Sequence, residues 1–345
     1  MSITKFPLIV QTSYAELVDQ LRVTAISDFP KGTTFRKRTI AGRSYWYAQP
    51  PSRIDGRPPE QYLGPDTPEL AKSIDEAKRN KILHDGQKII IRGLIASGLP
   101  APDPLTGHLL NALAHEGLFR LRGVIIGTIA FQAYSGLLGV RLSGQAMRTA
   151  DMDIAQDYGI SLAIDDQVKR PLLAILQDVE PEFRPVSSIS KPTTASSFVN
   201  LEGYRVDVLT TNRGSDRLVP VKLPSLQTEA LPLRHLDFLL RDYVEAAVLT
   251  RCGVLVNVPD PARFAIHKLM VATMRRESGD NLAKINKDIF QAGQLVEVFF
   301  LLRRQEELTR VYEEACQRGS SWQQKLQQGI AMLSDDQREL MSNLK

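Results

Sequence analysis

Three β-branched residues, Val124-Ile125-Ile126, run into Gly127, and a helix-like stretch follows at once over 128–138. A short apolar run stopped by glycine at the mouth of a helix predicts a buried strand that feeds the helix. Further β-prone stretches lie at 152–155, 161–164, 198–201 and 204–209, joined by polar, Pro- and Ser-containing connections. Strands alternating with helices predict a mixed α/β or α+β core over residues 121–225.

Residues 1–120 read as an accessory region. Ser13 and Glu16 have capping-box spacing and Leu17, Val18, Leu21 and Ala25 share one helical face, which predicts a helix from Ser13 that ends before Pro30. Thr39, Ile40, Tyr45, Trp46 and Tyr47 flank Ala41-Gly42 and predict a basic hairpin over 34–47, with a third short strand at Gln61-Tyr62-Leu63. Thr67-Pro68 is an N-cap followed by proline at the first helical position, opening a long charged helix that reaches at least about Asn80. Leu109, Leu110 and Leu113 mark a second helix leading to Leu118. Beyond the core, 226–345 reads as a mainly helical lobe. A hairpin over 246–258 turns at Cys252-Gly253, and Pro259-Asp260-Pro261 introduces helices over 262–276 and 281–304.

Composition excludes several classes. With 43% hydrophobic and 24% charged residues the chain is neither disordered nor fibrous. Two cysteines, Cys252 and Cys316, cannot build a disulfide framework or a four-cysteine zinc site, so a reducing, cytoplasmic setting is expected. Apolar runs fall short of the roughly 20 residues that span a bilayer, which predicts no membrane partner. His84, His108, His115, His235 and His267 show no zinc spacing, and neither G-x-G-x-x-G nor a Walker A sequence occurs. The net charge is +4, yet residues 31–57 hold seven basic residues against one acid, Asp55. That segment alone exceeds the surplus of the whole chain.

Asp151 and Asp153, in Arg148 to Ala155, are two apart and on a strand point to one face. Two same-face carboxylates repel and are costly to bury unpaired, which makes a divalent cation, Mg²⁺ or Mn²⁺, their natural partner. Upstream, Gly127-Thr128 stands where a strand meets a helix, and exposed N–H groups there favour phosphate. Downstream, Asp207 lies between Val206 and Val208 in an alternating strand pattern. Three carboxylates on two strands beside a glycine turn suit metal-assisted attack on a nucleoside triphosphate, with Asp151, Asp153 and Asp207 as metal ligands.

The arrangement of strand, Gly127-Thr128, helix, Thr149-x-Asp151-x-Asp153 and a later strand with Asp207 resembles the DNA polymerase beta-type nucleotidyltransferase superfamily. Within it the chain is most similar to bacterial proteins related to the AbiEii and MenT toxins. Their Arg-x-[Ser/Thr]-x-Asp-x-Asp pattern is matched by Arg148, Thr149, Asp151 and Asp153, and their helical signature by Lys268, Arg275 and Lys287-Asp288. The resemblance covers roughly 121–300. It implies a nucleotidyltransferase core sheet with flanking helices that transfers an NMP from an NTP to an acceptor, and a toxin-like or defence role with a cognate antitoxin as a possible partner. It implies that Gly127, Thr128, Arg148, Thr149, Lys268 and Arg275 hold the triphosphate, and it offers Asp288 beside Asp207 as the third acidic participant.

The basic hairpin has two readings. Charged short edge strands protect against aggregation; alternatively, Arg36, Lys37, Arg38 and Arg43 interleaved with aromatic residues such as Trp46 form a surface for phosphate contact and base stacking. The second favours contact with RNA or DNA, and together with the toxin-like resemblance it makes RNA, including tRNA, the preferred acceptor. Transfer to a protein or small molecule is the same-chemistry alternative, and a nucleic-acid-binding regulator without catalysis is the alternative from another class.

Overall fold

The computed structural model describes residues 3–24, 33–40, 42–50, 58–142, 151–186, 195–212 and 219–344. The short strand β1 (Thr4–Lys5) precedes helix α1 (Leu8–Thr24). This helix starts five residues before Ser13, because Val10 and Tyr14 extend the buried stripe of Leu17 and Leu21 upstream and the N–H groups of Val10 and Gln11 donate to the Pro7 carbonyl. Strands β2 (Thr34–Ile40), β3 (Arg43–Gln49) and β4 (Gln61–Pro65) form a separate antiparallel sheet in which β2 and β3 pair as expected, while Ala41 of the expected turn lies outside the described residues. Thr67 caps α2 (Pro68–Ala96), its hydroxyl accepting from the Leu70 N–H at 3.3 Å. That helix runs well past Asn80, because Ile91 and Leu94 pack with Tyr14, Leu17 and Leu21 of α1. Helix α3 (Pro104–His115) starts at an Asp103 cap and ends three residues before Leu118.

The central sheet is assembled from β5 (Val124–Ile126), followed by α4 (Gly127–Leu137), β6 (Val140–Arg141), β7 (Asp151–Gln156), α5 (Tyr158–Ala163), α6 (Leu172–Val179), β8 (Arg184–Pro185), β9 (Ser197–Val199), β10 (Arg205–Thr211), β11 (Val221–Leu223) and β12 (Thr228–Leu233). Its order is β11-β12-β10-β7-β5; β9 pairs the first half of β10 and β8 pairs β9, while β6 pairs β1 apart from this sheet. β7 and β10 are parallel, β5 runs antiparallel to β7, and β12 extends the sheet beyond residue 225. Of the expected strand over 161–164, residues 161–163 are instead the end of α5 and Ile164 is its C-cap. Asp157 caps this helix by accepting from the Ile160 N–H at 3.1 Å, and the buried Ser161 hydroxyl pairs with that of Ser225 at 2.8 Å. The cap and this inward hydroxyl outweigh the strand preference of the isoleucines.

The C-terminal part contains α7 (Leu236–Leu240), the hairpin β13 (Tyr243–Val248) and β14 (Val254–Pro259), and helices α8 (Pro261–Glu277), α9 (Leu282–Leu301), α10 (Gln305–Gln317), α11 (Ser320–Ala331) and α12 (Asp335–Ser342). The whole is mixed α+β, as the sequence predicts. Asp260 caps α8, accepting from the N–H groups of Ala262 and Arg263. Phe264 then packs against Phe131 and Tyr134 of α4, with ring centroids 6.2 and 5.2 Å apart. Arg263, 1% exposed, donates to Glu314 at 3.0 and 2.7 Å and to Asp242 at 2.7 Å, tying α8 to α10. These contacts fix α8 beside the sheet. No helix of the described residues is long and apolar enough to cross a membrane.

Candidate active site

Strand alternation sorts β7 and β10 into two faces. Met152, Ile154, Val206 and Val208 are fully buried on one. Asp151 and Asp153 are on the other, and register places Asp153 between Ile126 of β5 and Asp207 of β10. Three acids therefore share one face where β7 and β10 begin and β5 ends, at the entrance to α4.

Gly127 is what allows this crowding. Its φ is +69°, and a Cβ there would stand 2.5 Å from Asp153 Oδ2. Only glycine adopts this conformation cheaply and leaves room for the carboxylate. No side chain caps the start of α4, and Thr128 beside it is buried.

Burial, then the charges of Asp151 and Asp207, push the Asp153 carboxyl from 3.8 up to about 6, against the opposite pull of Lys268 and Arg275. Elements from both sides of the sequence thus act on one carboxylate. Asp288, with its side chain 2% exposed, joins the two cations: Lys268 Nζ donates to Oδ1 and Arg275 Nη1 to Oδ2 at 2.7 Å. Both oxygens of Asp288 are engaged, so this acid holds Lys268 and Arg275 in place. Arg205 Nε donates to Asp207 Oδ1 at 2.9 Å. Among the described residues, no three His, Cys, Asp or Glu side chains are gathered as a group that could hold a metal ion.

Two further residues belong to this neighbourhood. Lys287, read from sequence only as half of a Lys-Asp pair, has its pKa lowered by burial, while Asp151 and Asp288 pull it upward. Tyr204, just before β10, is buried, and its hydroxyl shares a 2.6 Å hydrogen bond with Thr106 of α3. Burial raises its pKa, and the charges of Asp103, Asp151 and Asp153 add to the rise. Its signal in the sequence was a tyrosine three residues ahead of Asp207; nothing local announced the partner on α3.

Arg148 and Thr149 lie outside the described residues. Arg36, Lys37, Arg38, Arg43 and Trp46 are on the separate three-stranded sheet. Lys37 pairs with Asp66 and Arg38 with Glu60 at 2.6 Å, whereas Arg36 and Arg43 are exposed and form no ion pair with any described residue. Trp46 donates its indole N–H to Asp66 at 2.7 Å, and Lys37 and Lys78 lie over its ring at 5.6 and 4.9 Å.

No curated protein and no solved structure matches the chain. A family model described as nucleotidyltransferase matches residues 105–317, a span from α3 to the end of α10 that takes in the acid face, Gly127 and the Lys268–Asp288–Arg275 cluster. That span is more than half of the sequence, and the chain belongs to this nucleotidyltransferase family.

Proposed function

We infer that the chain moves an NMP from an NTP to an RNA acceptor and releases pyrophosphate. The observation that carries this reading is the position of Asp153: its carboxylate abuts the uncapped start of α4 beside two further acids, and burial, followed by their charges, raises its pKa to about 6. Carboxylate oxygens are hard donors that suit Mg²⁺ or Mn²⁺, and Asp151 and Asp153 are the residues that would hold the cation. When bound, the cation offsets charge on the phosphates and on the leaving oxygen.

The chain's own residues do the rest. N–H groups at Gly127 and Thr128 meet phosphate oxygens. Lys268 and Arg275, oriented by Asp288, supply positive charge along the triphosphate, and Arg148 and Thr149 of the acidic motif join them. An acceptor hydroxyl oxygen forms a bond to the α-phosphorus, the α–β bridging bond breaks, and pyrophosphate leaves. The hydroxyl proton passes to Asp207, the acid opposite Asp153 on β10. RNA is favoured as acceptor by the basic 31–57 segment, in which Arg36 and Arg43 remain exposed and outside ion pairs with described residues.

The test offers α-labelled ATP, CTP, GTP and UTP with Mg²⁺ to the pure protein together with total RNA and lysate protein. Label in the RNA fraction is expected. Label in protein or in small molecules would reassign the acceptor, and none in any fraction would refute the transfer.

A further inference from the structure

The register of the three-stranded sheet divides its side chains into two sets with different surroundings. Lys37 opposes Trp46, and Phe35 opposes Ala48, which is 1% exposed; Trp46 in turn pairs with Gly64 of β4. This set is turned toward α2, whose Lys78 covers the Trp46 ring and whose Leu70 approaches Gly64. The other face carries Arg36 opposite Tyr47, Arg38 opposite Tyr45 and Ile40 opposite Arg43, with Tyr62 of β4 beside Tyr47. Tyr62 is 58% exposed and is the hub of the set, with its ring 5.5 Å from Tyr47 and 6.1 Å from Tyr45. The Arg38 guanidinium lies over Tyr47 at 4.8 Å. Arg36 and Arg43 are exposed on the same face and free of ion pairs with described residues.

Three clustered tyrosines on a sheet face, bordered by three arginines, combine what an unpaired polynucleotide needs: π-faces for bases and cations for the backbone. A duplex hides its base faces inside the helix and is recognised through its grooves and phosphates instead. An acidic peptide would be served by the arginines but has no use for a platform of rings. We propose that the Tyr45–Tyr47–Tyr62 face binds single-stranded RNA, stacking unpaired bases on the tyrosines while Arg36 and Arg43 contact phosphates. The proposal rests on the reading of RNA as acceptor and narrows it to a single-stranded segment. It also assigns stacking to the tyrosines, on the opposite face from Trp46.

The test uses the full chain without NTP or added metal, and measures fluorescence anisotropy with a labelled single-stranded RNA 12-mer and with an RNA duplex of the same length. The single strand should bind more tightly. Tyr47→Val and Tyr62→Val keep strand propensity but lack a ring; each should weaken single-strand binding by about 5- to 150-fold with an unchanged salt slope. Tyr47→Phe and Tyr62→Phe should bind as the wild type does, since the π-face remains. Replacing Arg36 and Arg43 together by Gln should flatten the slope of log affinity against log salt by about 1.4. Equal or tighter binding of the duplex, wild-type affinity in both valine variants, or no binding of either RNA overturns the proposal. Because binding is read apart from transfer, absence of label in RNA with intact tyrosine-dependent binding would refute the transfer reaction and leave this surface standing.

Discussion

Replacing Asp153 by Asn should stabilise the metal-free chain at neutral pH and not in acid. In the folded chain this carboxyl ionises near 6 because burial and the charges of Asp151 and Asp207 oppose its charge; unfolded, it ionises near 3.8. Below 3.8 both states hold the proton and folding is indifferent to it. Between 3.8 and 6 only the folded state does, so stability falls as pH rises through that window and the full cost is present above 6. A shift of roughly two units at 1.36 kcal/mol each amounts to about 3 kcal/mol. Asparagine keeps the shape and removes the charge. Urea unfolding in EDTA should therefore show Asp153→Asn more stable than wild type by up to about 3 kcal/mol at pH 7.5, with the difference shrinking toward zero near pH 4. Saturating Mg²⁺ should narrow the gap at pH 7.5 by stabilising the wild type. A variant less stable than wild type at pH 7.5, or a difference that does not change with pH, would refute the reasoning.

Gly127→Ala should abolish transfer and cost at least about 1 kcal/mol of stability, because alanine is strained at this φ and its Cβ meets Asp153 Oδ2; activity and urea midpoints of the purified variant check both effects. Glu314→Ala should cost about 3 to 5 kcal/mol by leaving the buried Arg263 with Asp242 alone, a loss read from the urea midpoint. His267 is buried, which, followed by the charge of Lys268, depresses its pKa to about 3. The neutral folded form is stabilising above pH 6.5, and that stability is lost as pH falls toward 3. His267→Leu should thus lose about 2 kcal/mol less than wild type between pH 7 and pH 5, a difference that urea titrations at the two pH values measure.

The part of the site that obeys period two was legible in the sequence. Asp151 and Asp153 fall on one face of a strand because alternation is local, and Gly127 stops a strand in a way a single residue can announce. What needed long-range register was not. That Asp288 clamps Lys268 and Arg275 depends on how α8 lies on α9, and that Trp46 faces α2 depends on which face of the small sheet the helix covers. Local signals also misled. Ser13 and Glu16 have the spacing of a cap yet lie inside α1, where the upstream apolar stripe wins, and the apolar residues near 161–164 look like a strand although Asp157 has already started a helix.

The claim that the Asp151–Asp153 pair carries nucleotidyl transfer is tested most directly by following α-labelled NTP into acceptor with Mg²⁺ present, for wild type, Asp151→Asn and Asp153→Asn at equal concentration. Wild type should label the acceptor and release pyrophosphate in equal amount. Both variants should fold, as their urea transitions report, and transfer no label above background. Transfer at the wild-type rate in either folded variant would contradict the account.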